Sequence, residues 1–374
     1  MNSPKILQLG KFYPPHIGGI ESLMQDLSQA LAQNNFDVFV LCSNKAPILP
    51  NYENPMPNLK IKRTKSLGII AKTSISPQMI FDLTKNLKKI DVIHLHMPDP
   101  MATLALFIAC TFISNKKRPK IILHWHSDII KQKFLLKLFL PLQHWALKNA
   151  DAIIATSQNY INTSPQLAHF RHKCCVIPIG IDDIANPQTS PTPKTRNSRN
   201  RILSVGRLGE NKGFKYLIDA MKLLIDYELE IIGSGEEYAA LDAQIKANNL
   251  QNRVFLSGAK NRDEIAKCYK NANYFVLASL QESYGIVLVE ALCFGLPIIC
   301  TNLALSGSSF INQHKMTGLL VDPKNSTQIA NAIIEISQNY DFYAKNARAR
   351  FGELFTKDKM IDKTIALYQD LLNL

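Results

Sequence analysis

The seven cysteines of this 374-residue chain, at 42, 110, 174, 175, 268, 293 and 300, include no C-x-x-C spacing. Most fall in apolar runs, so they read as small core side chains of a reducing compartment rather than a disulfide frame or a zinc site. Met1-Asn2-Ser3-Pro4 leads straight into the apolar run Lys5–Leu9, which leaves no room for a signal peptide. The longest uninterrupted apolar runs, around Leu104–Cys110, fall well short of the ~20 residues that span a bilayer. A cytoplasmic protein is expected, at most peripheral on the inner face of the cytoplasmic membrane. Internal repeats and low-complexity tracts are missing. So is a G-x-G-x-x-G fingerprint in the first glycine-rich turn, which argues against dinucleotide binding.

What is present suits a globular protein of two domains: 46% apolar and 20% charged residues, over a length that gives two sizeable cores. The net charge of +13 is unevenly placed. Residues 1–182 carry 21 Lys and Arg against 10 Asp and Glu, a net of +11, whereas residues 201–374 carry 19 of each. The basic half is expected to face something anionic: nucleic acid, a membrane surface or a phosphorylated lipid acceptor.

Short β-rich runs alternate with longer amphipathic stretches, which predicts parallel sheets with crossover helices. Strands are expected at Lys5–Leu9, Asp37–Leu41, Asp91–His96, Lys120–Trp125, Ala152–Ala155 and Cys175–Ile177. Helices are expected near Ile20–Gln33, Met101–Ser114, Lys131–Lys148 and Gln158–Phe170. A polar, proline-bearing stretch from Asn186 to Asn200 reads as a linker or exposed loop. A second series then opens with strands at Arg201–Val205, Leu229–Ile232, Val254–Leu256, Tyr274–Leu277 and Pro297–Cys300. The expectation is two Rossmann-like α/β domains, 1–182 and 201–356, joined by a linker at 183–200 with a cleft between them.

Chemistry concentrates in a few places. Glu282 and Glu290 lie eight residues apart, the first in the loop after a strand and the second two turns into the apolar helix that follows Gly285. They are roughly 9 Å apart along the axis at ~1.5 Å per residue. Free backbone N–H groups and the positive end of the helix dipole lie between them, where an anion would sit. Arg207 and Lys212 share the loop after the first strand of the second series, a planar fork and a point charge that could neutralise a leaving diphosphate. Gly18 and Gly19 precede a helix and would let phosphate oxygens or an acceptor approach backbone N–H groups. Gly233 sits in a strand-ending turn that reads equally as a nucleotide contact or a simple tight turn.

His94-Leu95-His96 and His124-Trp125-His126 each put two imidazoles on one face of a strand end, with Asp99 and Asp128 nearby. A metal site is one reading, but no H-x-x-x-H or carboxylate ligand completes it, so no metal and no cofactor are expected. Lys131–Pro141 mixes cations with large apolar side chains at helical spacing. It reads either as a helix docked on anionic lipid or as one packed by its apolar face.

The run from Gln281 to Leu292, continued by Cys293-Phe294-Gly295-Leu296-Pro297, resembles the E-x7-E signature of the retaining, nucleotide-sugar-dependent transferases of glycosyltransferase family 4. The likeness extends over essentially the whole chain. It includes Lys11–Glu21, the Gly206-Arg207…Lys212-Gly213 loop, His126-Ser127-Asp128-Ile129, and Ser164-Pro165 through Ile179–Asp182. In these segments the chain looks like bacterial surface-polysaccharide mannosyl- or rhamnosyltransferases. Tyr284 stands where phenylalanine is common, so an aromatic ring is kept.

The resemblance implies a GT-B fold whose last helix, about Lys357–Asn373, packs back on the first domain. It implies hexosyl transfer from a nucleotide diphosphate sugar to a glycan or a polyprenyl-linked or other lipid acceptor, metal-free and with retention. Retention is explained by same-face attack, in which the departing phosphate takes the acceptor's proton. His126 would reach the donor sugar and the reaction centre. The donor would be held by Gly18, Gly19, Arg207, Lys212, Gly233, Glu282, Ser283, Tyr284, Gly285, Ile286, Val287 and Glu290, with Glu282 on the sugar and Glu290 on the ribose. Rival readings are a nucleotide-sugar epimerase or phosphorylase on the same fold, or an inactive partner subunit. Intact Glu282, Glu290, Arg207 and Lys212 argue against the last. A nucleic-acid binder accounts for the charge but not for these motifs.

Overall fold

The computed structural model describes residues 3–16, 18–44, 49–71, 73–111, 113, 118–128, 133–185 and 200–373. The chain forms two units. One comprises Met1–Thr156, Ser164–Ile177 and Ile361–Leu374, and the other Ser157–Thr163 and Pro178–Met360.

The first unit runs β1 (Lys5–Leu9), α1 (Gly19–Gln33), β2 (Asp37–Asn44), β3 (Tyr52–Met56), β4 (Leu59–Lys65), β5 (Gly68–Ile70), β6 (Thr73–Ile75), α2 (Pro77–Asn86), β7 (Val92–Met97), α3 (Pro100–Thr111), β8 (Lys120–Trp125), α4 (Lys133–Asn149), β9 (Ala152–Ala155) and, beyond α5 (Gln158–Thr163), β10 (Cys174–Val176). Eight strands make one sheet in the order β10-β9-β8-β7-β1-β2-β4-β3, parallel except for the β3–β4 pair. Strands covered on both faces read as near-continuous apolar runs. β7 and β9 are buried along their whole length, and β1 from Ile6 onward.

The second unit continues with β11 (Asn200–Val205), α6 (Phe214–Ala220), β12 (Tyr227–Ile232), α7 (Tyr238–Ala247), β13 (Val254–Leu256), α8 (Arg262–Asn271), β14 (Tyr274–Leu277), α9 (Ile286–Cys293), β15 (Ile298–Thr301), α10 (Ser308–Ile311), β16 (Gly318–Val321), α11 (Ser326–Gln338), α12 (Tyr340–Leu354) and the first turn of α13 (Lys357–Leu372). Its sheet is wholly parallel, in the order β13-β12-β11-β14-β15-β16.

Both sheets reverse their winding order beside the first strand, between β1 and β7 in one and between β11 and β14 in the other. In open α/β sheets ligands bind outside the carboxyl ends of the strands at such a switch point. Arg207 and Lys212 follow β11 and Glu282 follows β14, so the second switch point gathers the charges that the sequence singled out.

Several boundaries differ from expectation. The division falls at Ile177/Pro178, not at 182, because Ile179 and Ile181 pack against the second core and Ile181 bridges to Thr356. The helix expected over Gln158–Phe170 breaks after Thr163, since Pro165 disfavours helical backbone at Ser164, and a 3-10 turn resumes at Ala168–Lys173. The stretch from Tyr52 to Asn86 holds four strands and a helix that the pattern did not reveal. From Ile361 onward, α13 belongs to the first unit. Residues 186–199 of the expected linker lie outside the described residues, as do Ile17, Ile129 and the start of the Lys131–Pro141 stretch. No helix among the described residues is long and apolar enough to cross a membrane.

Candidate active site

Lys212 and Glu282, 70 residues apart in sequence, meet in an ion pair of 2.6 Å with both side chains largely buried, 18% and 14% exposed. The loops that carry them are locked together. Leu280 and Gln281 donate their N–H groups to the Asn211 carbonyl at 2.8 and 3.3 Å. Gly213 turns the first loop at φ 64°, and a Cβ there would lie 2.2 Å from the Ala278 carbonyl oxygen. Glycine is therefore required at 213 both by its left-handed backbone and by the close approach of the second loop. Arg207 stands in the same loop but is mostly exposed, and its guanidinium pairs with Glu236 at 3.0 Å. The two cations expected to act together on a diphosphate are thus each held by a different carboxylate.

Glu290 sits in the second turn of α9, whose N-cap Gly285 adopts φ 88°. Its Oε2 accepts a 2.8 Å hydrogen bond from Tyr269 Oη, whose single proton is shared with the Val287 carbonyl at 3.1 Å. Burial raises the Glu290 carboxyl above its ordinary range, against the Tyr269 hydrogen bond and the more distant Arg262, which favour the carboxylate. Tyr284 holds the Glu282 loop through its side chain. Its ring is buried, its hydroxyl donates to the Ile179 carbonyl at 3.1 Å, and Gly307 closes over it. The aromatic side chain anchors the Glu282 loop to the core. Gly233 takes φ 148°, and a Cβ there would fall 1.9 Å from the Gly206 carbonyl. That glycine is required by the packing of one strand-end loop on the next.

In the first unit, Gly18 is extended at φ 179°, a conformation open to any residue, and it precedes α1. The Glu21 carboxylate folds over it, so that a Cβ at Gly18 would lie 2.1 Å from Glu21 Oε2. A side chain at position 18 would therefore collide with that carboxylate. Gly19 faces open space.

The register of β1, β7 and β8 sets Gln8 beside His94 and His96 beside His124, so all four lie on one face of the sheet, with His126 two residues beyond His124. The imidazoles form a buried stack, with His96 and His126 within 2° of parallel. His94 Nε2 meets His124 Nδ1 at 3.1 Å, and His96 Nδ1 meets His126 Nε2 at 3.1 Å. Burial, the largest cause, pushes all four far below the usual histidine range, His126 to about 3, so they are neutral near pH 7.

Three of them, His94, His96 and His124, hold ring nitrogens within 4.8 Å of one another, close enough for a shared metal ion. The carboxylates expected nearby are engaged elsewhere. Asp99 accepts from the Met101 and Ala102 N–H groups at the start of α3, and Asp128 is bound by Trp125 Nε1 and Ser164 Oγ, each at 2.9 Å. The last contact ties two sequence segments, Trp125–Asp128 and Ser164-Pro165, into one structural knot. Tyr368 and Gln8, which the sequence reading missed, complete the histidine cluster: Tyr368 Oη contacts His94 Nδ1, and Gln8 Nε2 reaches Tyr368 Oη at 3.2 Å.

The family model of glycosyltransferase family 4 matches residues 17–183, and that of glycosyl transferases group 1 matches residues 187–354. O-antigen chain mannosyltransferase C of Escherichia coli is 31% identical over 96% of this chain and 96% of its own length. The chain belongs to glycosyltransferase family 4. D-rhamnosyltransferase WbpZ of Pseudomonas aeruginosa is likewise 31% identical, over 91% of this chain and 89% of its own. Among solved structures, Anabaena HepE in complex with UDP superposes with a TM-score of 0.78 at 20% identity, covering 98% of this chain and 100% of that one. The glycosyltransferase fold is therefore GT-B, built from the two Rossmann-like units described above.

Proposed function

We propose that this glycosyltransferase moves a mannose-type hexosyl residue from a nucleotide diphosphate sugar to a glycan or polyprenyl-linked acceptor in cell-surface polysaccharide synthesis, with retention and without a metal. The observation that carries the reading is the Lys212–Glu282 pair at the switch point of the second sheet, with Arg207 in the same loop and Glu290 on the helix that follows. The two relatives named above as mannosyl- and rhamnosyltransferases support the sugar class, and the UDP complex of HepE supports a nucleotide donor. In the reaction, the bond from the sugar's anomeric carbon to the diphosphate breaks, and the acceptor oxygen bonds that carbon on the same face. The acceptor's proton passes to the departing phosphate. Negative charge then grows on the diphosphate, where Arg207 and Lys212 stabilise it as fixed cations. Glu282 orients the sugar through its hydroxyls, and His126 serves the reaction centre.

The basic character of residues 1–182 suits an anionic or lipid-linked acceptor. In the described part of α4, Leu138 is 69% exposed while Phe139 is buried, which supports an apolar edge turned outward towards lipid.

Thermal-shift screening against GDP- and UDP-sugars should single out a mannose-type donor. Transfer should survive EDTA, and NMR of the product should show the donor's anomeric configuration. An inverted product or strict dependence on a divalent ion would overturn the reading.

Glu290 accepts hydrogen bonds from the donor ribose in this scheme. Glu290→Gln keeps an acceptor for Tyr269 but makes a charge-assisted bond neutral, so nucleoside diphosphate affinity should fall about tenfold, or ~1.4 kcal/mol. Unchanged affinity by calorimetry would remove Glu290 from the ribose.

A further inference from the structure

The buried histidine cluster leaves very little freedom for its protons. Gln8 Oε1 lies 2.9 Å from His96 Nε2, and an amide oxygen only accepts, so His96 carries its proton on Nε2. A neutral imidazole has one N–H, which leaves His96 Nδ1 as a bare lone pair. His126 Nε2, 3.1 Å away, must then bring the proton, and His126 Nδ1 is left bare in turn.

The other end of the same amide fixes a second branch. Gln8 Nε2 donates to Tyr368 Oη at 3.2 Å, and Tyr368 passes its own proton to His94 Nδ1. His94 therefore donates from Nε2 to His124 Nδ1, and His124 keeps its proton on Nε2, which meets no partner among the described residues. All four histidines share one tautomer, and turning the Gln8 amide over would reverse all four together.

We propose that Gln8 and Tyr368 are positioning residues that hold His126 as its Nε2–H tautomer, so that its Nδ1 accepts a hydrogen bond from a hydroxyl of the transferred sugar or of the acceptor. The functional half of this statement rests on the reading of His126 given above; the tautomer itself does not. Tyr368 comes from the far end of the chain, on α13, so the C-terminal helix sets the hydrogen-bonding polarity of a residue 242 positions earlier in sequence. The stack is a better hydrogen-bond chain than a cation site. His94 and His124 point ring nitrogens at each other across 3.1 Å, the separation of an N–H···N hydrogen bond.

The test is tautomer assignment by long-range proton–nitrogen NMR on the full chain labelled with nitrogen-15 histidine, near neutral pH. The wild type should show Nε2–H at His94, His96, His124 and His126. Tyr368→Phe frees the amide to turn and should put His126 into a mixture of tautomers. Its kcat should fall about fivefold or more, with the nucleotide-sugar KM within twofold. Gln8→Met should act the same way and serves as the second variant if either folds poorly.

The inference falls if wild-type His126 carries Nδ1–H, or if both variants lose activity while His126 keeps its tautomer. It also falls if the purified protein holds stoichiometric metal on these nitrogens. Full turnover by His126→Ala would instead sink the role of His126 in the reaction and leave the tautomer assignment standing.

Discussion

Lowering the pH from about 7.5 to about 5 should strip this protein of most of its stability, well above the range where ordinary carboxylates protonate. The cause is the neutral histidine stack. Each of His94, His96, His124 and His126 has a folded pKa below its unfolded value of ~6.5. A histidine of that kind contributes stability that is complete above the unfolded pKa and drains away as the pH falls beneath it, because the unfolded chain then binds the proton that the folded chain refuses. The slope is ~1.4 kcal/mol per pH unit for each such group, so at pH 5 four histidines together cost about 8 kcal/mol.

Two buried acids work the other way. Asp99, raised by burial to about 6, and Glu290, also raised by burial, hold protons that the unfolded chain releases, and they gain stability on acidification. Asp99 alone offsets roughly one histidine. The remainder is still comparable with the ~5–15 kcal/mol that holds a typical domain folded. Urea unfolding at a series of pH values should show the midpoint dropping steeply between about pH 6.5 and 5. A midpoint that stays flat across that window would mean the stack takes up protons without leaving the folded state.

The sequence carried some of this and hid the rest for identifiable reasons. Strands covered on both faces announce themselves as continuous apolar runs, which is why Lys120–Trp125, Ala152–Ala155 and Tyr274–Leu277 were placed to the residue. Leu59–Lys65 alternates polar and apolar residues and lies near the sheet's edge, so it lacks that signal. Glu282 and Glu290 were legible as a pair because one helix start fixes both. The partner of Glu282 was not, since Lys212 reaches it only through the pairing of β11 with β14, a long-range register that local pattern does not encode.

The histidines were visible as two H-x-H pairs, and their shared face followed from strand periodicity. Gln8 carried a faint signal, a polar residue inside an otherwise apolar strand, and such a residue is buried only when something satisfies it. Nothing local points to Tyr368, 360 residues away. The anchoring role of Tyr284 was equally hidden, since the partner of its hydroxyl, the Ile179 carbonyl, lies 105 residues away.

Glu282→Ala should abolish hexosyl transfer while leaving the bare nucleoside diphosphate bound at least as tightly as in the wild type. Glu282 sits at the sugar end of the proposed donor site, where a carboxylate accepts hydrogen bonds from sugar hydroxyls and aims the anomeric carbon at the acceptor. Its ion pair with Lys212 adds a second consequence. In the free enzyme the carboxylate holds the lysine, so removing it releases a cation to the diphosphate and takes away a nearby negative charge. Lys212→Ala should behave differently. It should weaken the nucleoside diphosphate and lower kcat by about 10²–10³, the range seen when one preorganised transition-state donor is lost. Calorimetry with the bare diphosphate decides between the placements. If Glu282→Ala loses the bare diphosphate as badly as the sugar-bearing donor, the carboxylate belongs at the nucleotide end and its assignment to the sugar is wrong.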